Sequence, residues 1–361
     1  ILIGLVGSEM CIRDRVKTGE ILACASYPTF NLATMKEDWD AINSDDLKPL
    51  FNRAFGATYA PGSTYKMCTL VAAMENVDST GTPIYSPGET IYDTGVFSHD
   101  DFPDFHPTCL FYSSSYGSHG DLTAQDALKV SCNLFFYELG YRMTIEMMDE
   151  TAKGFGLGEP TGIELTEKVG WRANRESKKA SYKNSADTAW NGGDRVLCAI
   201  GQSENRFTPL QLANYIATLV GDGQHYEAHL LKNVKSYDNS SVIYAYDKEP
   251  LNTVQMSDST VRAVKEGMHN LTTGSLSYYF SKCVVSAGAK TGTAETGINN
   301  TNNGVFVCFA PYDDPQIAVA VVIEKGGSGA ALASTAVDIV NSYFSQEEIG
   351  AVIIGENTLL K

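Results

Sequence analysis

Apolar and polar positions alternate along the chain in patterns that separate helix-like from strand-like stretches. Glu20 to Ser26 (Glu-Ile-Leu-Ala-Cys-Ala-Ser) is a short apolar run leaving the Thr18-Gly19 turn, and it reads as a buried strand. Residues 34–54 are polar with scattered apolar positions and read as helix and loop over the surface. After Pro61-Gly62, the residues Met67, Leu70, Val71 and Met74 recur at helical spacing, with no Gly or Pro until Gly81. That pattern predicts a buried amphipathic helix starting at or just before Ser63. Residues 80–120 are aromatic and punctuated by Gly and Pro, as turns and small strands are. Helical periodicity returns from Leu122 to Tyr141, interrupted at Ser131-Cys132-Asn133. Pro209 to Leu219 is a further helix, with Thr208 placed to cap it. Residues 224–255 read as a small strand-rich excursion.

The C-terminal third holds three apolar strands, Val284 to Gly292, Gly304 to Ala310 and Ile317 to Glu324. Pro311-Tyr-Asp-Asp-Pro315 joins the last two as a turn, so the three should form an antiparallel meander. Ala330 to Phe344 reads as a helix covering one face of it. With strands at both ends of the chain and helices between, the expected fold class is α/β. It is built on an antiparallel sheet of about five strands formed by both chain ends and flanked by helices.

Composition narrows the picture. The chain has 361 residues, 43% apolar and 19% charged, which suits one large folded domain with substantial loops. It carries 27 basic against 43 acidic residues, a net charge of −16, which would repel phosphates and speaks against a nucleic-acid partner. Lys168, Arg172, Arg175, Lys178, Lys179 and Lys183 cluster in residues 166–194, which read as a solvated loop. The eight cysteines form no CxxC pair and lie mostly in apolar runs. They are expected to be buried small hydrophobes, with neither a metal site nor a disulfide framework. No run of eighteen apolar residues occurs, and Ile1 to Gly7 is too short for a membrane span and lacks the basic residues of a signal peptide.

Three short motifs carry chemistry. In Ser63-Thr-Tyr-Lys66 the first and last residues share a helix face, so the amine can reach the hydroxyl. A serine needs a base to become a nucleophile, and a lysine serves once burial lowers its pKa. The positive end of the helix dipole further disfavours the ammonium. Ser131-Cys132-Asn133 falls at a helix junction, and Lys290-Thr291-Gly292-Thr293 at the end of an apolar strand. Lys290 is a fixed cation there, and the hydroxyls and Gly292 let an extended peptide ending in a carboxylate lie along the sheet edge. Singly these motifs are weak; together, in this order and context, they are the set found in β-lactamases and penicillin-binding proteins. His119, between Ser118 and Gly120, is expected to make structural hydrogen bonds.

From about Val16 to Phe344 the chain resembles the transpeptidase domain of a class B penicillin-binding protein. Further segments carry the likeness: Lys17-Thr-Gly-Glu-Ile-Leu-Ala23 with Ser26-Tyr-Pro28, Tyr59-Ala-Pro-Gly-Ser-Thr-Tyr-Lys66, and Gly117-Ser-His-Gly120. Ile200-Gly-Gln202 with Thr208-Pro-Leu-Gln-Leu-Ala213, and Phe309-Ala-Pro-Tyr312, add to it. The resemblance implies a sheet with an all-helical subdomain, cross-linking of peptidoglycan stem peptides ending in D-Ala-D-Ala, and covalent capture by β-lactam antibiotics. It implies no metal and no organic cofactor. Carried over by position, Ser63 is the nucleophile, Lys66 the general base, Ser131 a proton relay to the leaving amine, and Asn133 an orienting residue. Lys290, Thr291, Gly292 and Thr293 bind the substrate, and the N–H groups of Ser63 and Thr293 form the oxyanion hole. It also implies a place on the outer face of the bacterial cytoplasmic membrane, held by an N-terminal anchor absent from this chain. A membrane glycan polymerase is the implied partner, reached through missing N-terminal parts. The other enzyme readings are a serine β-lactamase or D,D-carboxypeptidase; the reading from another class is a non-catalytic β-lactam sensor.

The chain departs from the family at two places. Ser203 follows Ile-Gly-Gln where the family has Gly. Residues 1–15 do not resemble the family's first strand and are expected to be foreign or disordered. The expected division is therefore 1–15, a transpeptidase domain over 16–346, and a tail over 347–361.

Overall fold

The computed structural model describes residues 9–182, 188–247, 249–295 and 301–348. Its frame is a five-stranded antiparallel sheet of β1 (Glu9–Arg15), β2 (Ile21–Ser26), β3 (Gly288–Glu295), β4 (Asn302–Ala310) and β5 (Ile317–Ile323), in the order β2-β1-β5-β4-β3. Both chain ends supply it, as expected. β3, β4 and β5 form the meander, with Lys290 opposite Val307, Gly292 opposite Val305, and Cys308 opposite Val319. Each strand starts or ends a few residues from its expected bounds; Val284 to Ala287 precede β3 and lie outside it.

Of the expectation that residues 1–15 are foreign or disordered, the second alternative does not hold for residues 9–15. They are not disordered: β1 lies between β2 and β5, with Cys11 opposite both Ala25 and Val321. A sheet slot is filled by backbone hydrogen bonds, which any extended segment offers whatever its side chains. Residues 1–8, and most of the expected tail over 347–361, lie outside the described residues; the last helix runs to Glu348, two residues past the expected domain end.

β4 from Val305 to Ala310 and all of β5 are apolar without interruption because both sheet faces are covered there. Val305, Val307, Phe309, Ala318, Ala320 and Val322 face one core; Phe306, Cys308, Ala310, Val319, Val321 and Ile323 face the other. The second face is closed by the C-terminal helix, Ala333–Glu348, through Ala333, Ala336 and Val340. The first face carries the helical part of the molecule. It is built from α1 (Lys66–Glu75), α2 (Ala124–Val130), α3 (Asn133–Arg142), α4 (Pro209–Val220) and α5 (Asp258–Thr273). Every residue of α4 is buried, its polar Gln211, Asn214 and Thr218 included. Its start is a reciprocal capping box: the Gln211 N–H donates to Thr208 Oγ1 at 3.1 Å, and the Thr208 N–H to Gln211 Oε1 at 3.0 Å.

The basic stretch at 166–194 is less solvated than expected. Arg172 donates to Asp149 and Glu159, both at 2.7 Å, and Lys178 is buried with its amine 2.5 Å from Asp194. Pairing each cation with a carboxylate lets the long apolar stems pack, and Arg175–Ser181 and Gly192–Cys198 fold as short helices. Lys183 lies outside the described residues. Over residues 80–120 the expected small strands are present as Ile91–Asp93 paired with Gly120–Leu122.

Candidate active site

Ser63 sits in a 3₁₀ turn, Gly62–Tyr65, that runs directly into α1 at Lys66. The turn is wedged between two other segments. The Gly62 N–H donates to Gly201 O at 3.1 Å, tying it to the Ile200-Gly-Gln202 loop, and Thr69 Oγ1 donates to Ala199 O at 2.7 Å. On the other side lies β3. A Cβ on Gly62, which has φ +52°, would stand 2.6 Å from Thr293 O, and a Cβ on Gly292 would stand 2.7 Å from Pro61 O. Both positions therefore require glycine for backbone to pass backbone, and that close passage sets Ser63 beside the Lys-Thr-Gly-Thr strand. Ser63 is half-buried, and its hydroxyl makes no hydrogen bond among the described residues.

Ser203, where the family has Gly, keeps the glycine-like conformation at φ +62°. A left-handed residue with a Cβ costs ~1–2 kcal/mol. The Ser203 hydroxyl donates to the adjacent Glu204 carboxylate, and Gln202 Nε2 reaches Thr293 O at 3.5 Å.

The second motif is placed by a break between helices. Ser131 ends α2 in the left-handed conformation, φ 55° and ψ 40°, and Cys132 is the N-cap of α3, its sulfur accepting the Phe135 N–H at 3.4 Å. The reversal aims Ser131 and Asn133 at Lys66. The Lys66 amine donates to Asn133 Oδ1 at 2.7 Å, Ser131 O at 2.8 Å and Ser131 Oγ at 3.3 Å. It also stands 5.3 Å from the centroid of the Phe136 ring. Lys290, on the sheet face that looks toward the helices, donates to Ser131 Oγ at 2.8 Å and to Thr291 O at 3.0 Å. Both lysines are fully buried.

Among the described residues, none of the hydrogen bonds or ion pairs of these two lysines involves a carboxylate. Burial therefore acts on their charge with no bonded carboxylate to offset it, and at Lys66 the nearby Cys132 and Cys109 sulfurs oppose it only in part. Desolvation lowers Lys66 to about 8, and desolvation together with the Lys66 charge holds Lys290 well below the ordinary lysine range. Thr291 and Thr293 are half-buried on β3, whose outer edge has no strand partner among the described residues. An extended peptide could add to that edge.

Sequence reasoning missed a second cluster beside this one. Asp93, Cys109, His119 and Cys132 bring one donor atom each to within 4.8 Å of one another. His119 Nδ1 lies 2.5 Å from Asp93 Oδ2 and 3.8 Å from Cys109 Sγ, and Cys132 Sγ lies 3.9 Å from Cys109 Sγ. His119 thus has the structural bond expected of it. Burial pushes Asp93 up, but hydrogen bonds from His119, the Gly95 N–H and Cys132 outweigh it and hold the carboxyl below its usual range. The neighbouring Cys132 thiol pulls Cys109 down to about 5. Two sulfurs, an imidazole and a carboxylate suit a tetrahedral ion of the zinc type, and four protein donors leave no open position, so such an ion would be structural. These donors are spread over four sequence positions that only the fold unites, so no local spacing pattern could have pointed to the cluster. Cys68, Cys198 and Cys308 are buried as expected, whereas Cys24 is exposed.

A serine at a helix start, a buried lysine beside it, and a Lys-Thr-Gly on the edge strand stand together on this sheet, an arrangement that could serve acyl transfer. The family model of the penicillin-binding protein transpeptidase domain matches residues 15–343, and the chain belongs to that family. It is 29% identical to the peptidoglycan D,D-transpeptidase MrdA of Haemophilus influenzae, over 98% of this chain and 55% of that protein. It is 30% identical to MrdA of Escherichia coli strain K12, over 88% of this chain and 51% of that protein. The chain thus spans about half the length of the curated relatives it matches. The crystal structure of Pseudomonas aeruginosa PBP2 in complex with WCK 5153 superposes with a TM-score of 0.80, at 24% identity, covering 94% of this chain and 74% of that one. At that identity the likeness establishes the fold.

Proposed function

We propose that the chain is the catalytic domain of a peptidoglycan D,D-transpeptidase. The observation that carries the reading is Lys66: one helical turn from Ser63, fully buried, and lowered to about 8 with no carboxylate partner among the described residues. Such an amine can hold a proton and release it near neutral pH.

In this reading Lys66 takes the Ser63 proton, and the oxygen attacks the carbonyl between the two D-alanines of a stem peptide. The developing oxyanion is met by the N–H groups of Ser63 and Thr293, donors typically worth ~2.7–4 kcal/mol each. Ser131, hydrogen-bonded to both lysines, passes a proton to the departing D-Ala amine. Asn133 fixes Lys66 through its amide oxygen and orients the donor peptide. Lys290, Thr291 and Thr293 receive the terminal carboxylate, and Gly292 lets the peptide backbone approach. An acceptor amine from a second stem peptide then resolves the ester. β-Lactams enter the same site and stay.

The relatives named MrdA, and a 26%-identical structure titled as a peptidoglycan synthase complex that coordinates polymerisation and cross-linking, support a membrane glycan polymerase as partner. They likewise support a place at the outer face of the cytoplasmic membrane. No helix among the described residues is long and apolar enough to cross a membrane.

The test is covalent. Incubation with a fluorescent penicillin followed by digestion should place the label on a peptide containing Ser63. Label on another serine, or none on folded protein, would overturn the assignment. Mass spectrometry of the mixture should show an adduct that persists for many minutes. A β-lactamase needs a second base to activate water, and no Glu between Asn133 and Lys290 carries the Leu-Asn offset of the class A deacylation loop. Rapid return of the free mass with penicillin consumed in excess would make it a β-lactamase.

A further inference from the structure

β3 is gripped from both faces at Gly292. On the inner face Gly292 passes Pro61, and Gly62 passes Thr293. On the outer face lies the segment that leaves β5 and ends in a 3₁₀ turn, Gly329–Leu332, before the C-terminal helix. A Cβ on Gly329 would overlap Val305 O and Gly292 O and would stand 2.9 Å from Gly292 N. Gly292 and Val305 are opposite one another on β3 and β4, so Gly329 lies against this one pair. We propose that Gly329 is a positioning residue for acyl transfer: its bare backbone backs β3 at Gly292 and so sets the spacing of the Ser63 and Thr293 N–H groups. The proposal rests on the function proposed above.

Four backbone segments are stacked at this point. A Cβ on Gly201 would overlap Gly62 O, so the column runs from Gly201 through Gly62 and Gly292 to Gly329. At each of these glycines the nearest atom to an added Cβ is a main-chain oxygen. A flexible side chain yields to such a contact by changing rotamer, and packed main chain does not. The outer end of the column is tied down. The Lys325 N–H donates to Asn303 Oδ1 and the Gly327 N–H to Asn302 O, both at 2.9 Å, which fixes the segment to β4. Ser328 Oγ accepts the Ala330 N–H at 3.3 Å, and Leu332 is buried in the outer core. With the turn so held, β3 has little room to retreat from Ser63.

That spacing matters most for the oxyanion. Its two donors come from opposite sides of the gap, the Ser63 N–H from the turn before α1 and the Thr293 N–H from the residue after Gly292. Such donors act on the developing charge only where they are aimed beforehand. Glycine is required at 329 by this contact and by nothing in its own backbone: Gly329 is not in the left-handed region, so alanine satisfies its φ.

The test uses the full chain and benzylpenicillin. Rapid mixing separates non-covalent binding from the acylation rate constant, and infrared spectroscopy reads the ester carbonyl of the penicilloyl protein. Hydrogen bonds weaken a C=O bond, so a carbonyl held by both donors absorbs at lower frequency than a free one. Gly329→Ala should lower the acylation rate constant about 10²-fold, the scale of a misplacement of about 1 Å. Non-covalent binding should stay nearly unchanged, and the carbonyl frequency should rise. Gly327→Ala is the control. Gly327 has φ +72° and a Cβ there meets nothing within 4 Å, so the same segment is strained without touching β3. It should match wild type in both rate constant and carbonyl frequency. Should Gly329→Ala fail to fold, Ser328→Ala removes the acceptor of the Ala330 N–H and slackens the turn; acylation should slow and the frequency rise in the same sense. A wild-type carbonyl frequency in whichever variant folds overturns the proposal, even where acylation has slowed. Wild-type protein with no label on Ser63 would instead sink the transpeptidase reading.

Discussion

Lys66 and Lys290 donate to the same hydroxyl, that of Ser131, at 3.3 Å and 2.8 Å. Each amine loses hydration, and the Lys66 charge further disfavours an ammonium at Lys290, so charge is disfavoured on both. Lys66, at about 8, lies below its ordinary 10.5, so the neutral base gains population as pH rises through about 8. The acylation rate constant with a penicillin should rise over that range and level off above it. Asn133→Asp would put a carboxylate on the amine, stabilise the ammonium and move the rising limb to higher pH. Lys66→Ala should cost the ~10²–10⁴ typical of losing a general base, with folding intact by circular dichroism. A flat pH profile, or near-normal rates without Lys66, would assign the base elsewhere.

The same lowered value has a consequence for stability. The unfolded chain holds the Lys66 proton up to the ordinary lysine pKa of 10.5, and the folded chain releases it near 8. Between these values the unfolded state binds more protons, so this group makes the fold more stable as pH rises. Wild type should therefore gain thermal stability relative to Lys66→Met between about pH 8 and about pH 10. A constant difference in melting temperature across that range would contradict the lowered pKa.

Lys290→Ala removes the buried amine that β3 contributes to the site. Capture of carboxylate-bearing penicillins should weaken, while a small neutral acylating agent still labels Ser63. Comparing the two rate constants decides the role. Equal loss toward both reagents would place Lys290 in the proton relay or in the scaffold.

Gly292→Ala places a Cβ 2.7 Å from Pro61 O and 3.0 Å from Thr64 Cγ2. Backbone cannot yield as a flexible side chain does, so β3 must move away from the Ser63 turn. A shift of about 1 Å at a reacting centre can cost ~10²-fold. Penicillin acylation should fall by that order, with circular dichroism unchanged. Normal acylation would show that β3 and the turn adjust without loss.

Asp93, Cys109, His119 and Cys132 should hold one zinc per chain, measured by elemental analysis after dialysis. His119→Ala should lower the metal content and the melting temperature together, because a closed four-donor site contributes to folding. Unchanged stability on chelation would leave the four as a hydrogen-bonded cluster.

What the sequence determined by itself is local. The Ser63–Lys66 spacing puts both groups on one helix face wherever the helix goes. Thr208 and Gln211 cap α4 through contacts three residues apart, and the apolar runs of β3, β4 and β5 announce a sheet covered on both sides. The break at Ser131 was legible because helical periodicity stops there. Other features came only with the tertiary structure. The lowered lysine pKa values arise from desolvation by segments far along the chain, and no local pattern encodes that. The donors at 93, 109, 119 and 132 meet because the loop between residues 94 and 119 folds back on the start of α3. Segment 9–15 fills the slot between β2 and β5 through main-chain hydrogen bonds that do not depend on side-chain identity, so composition gave no warning of it. Periodicity and capping act over three or four residues and are written in order along the chain, whereas burial, convergence and strand partnering depend on which distant segments share a place.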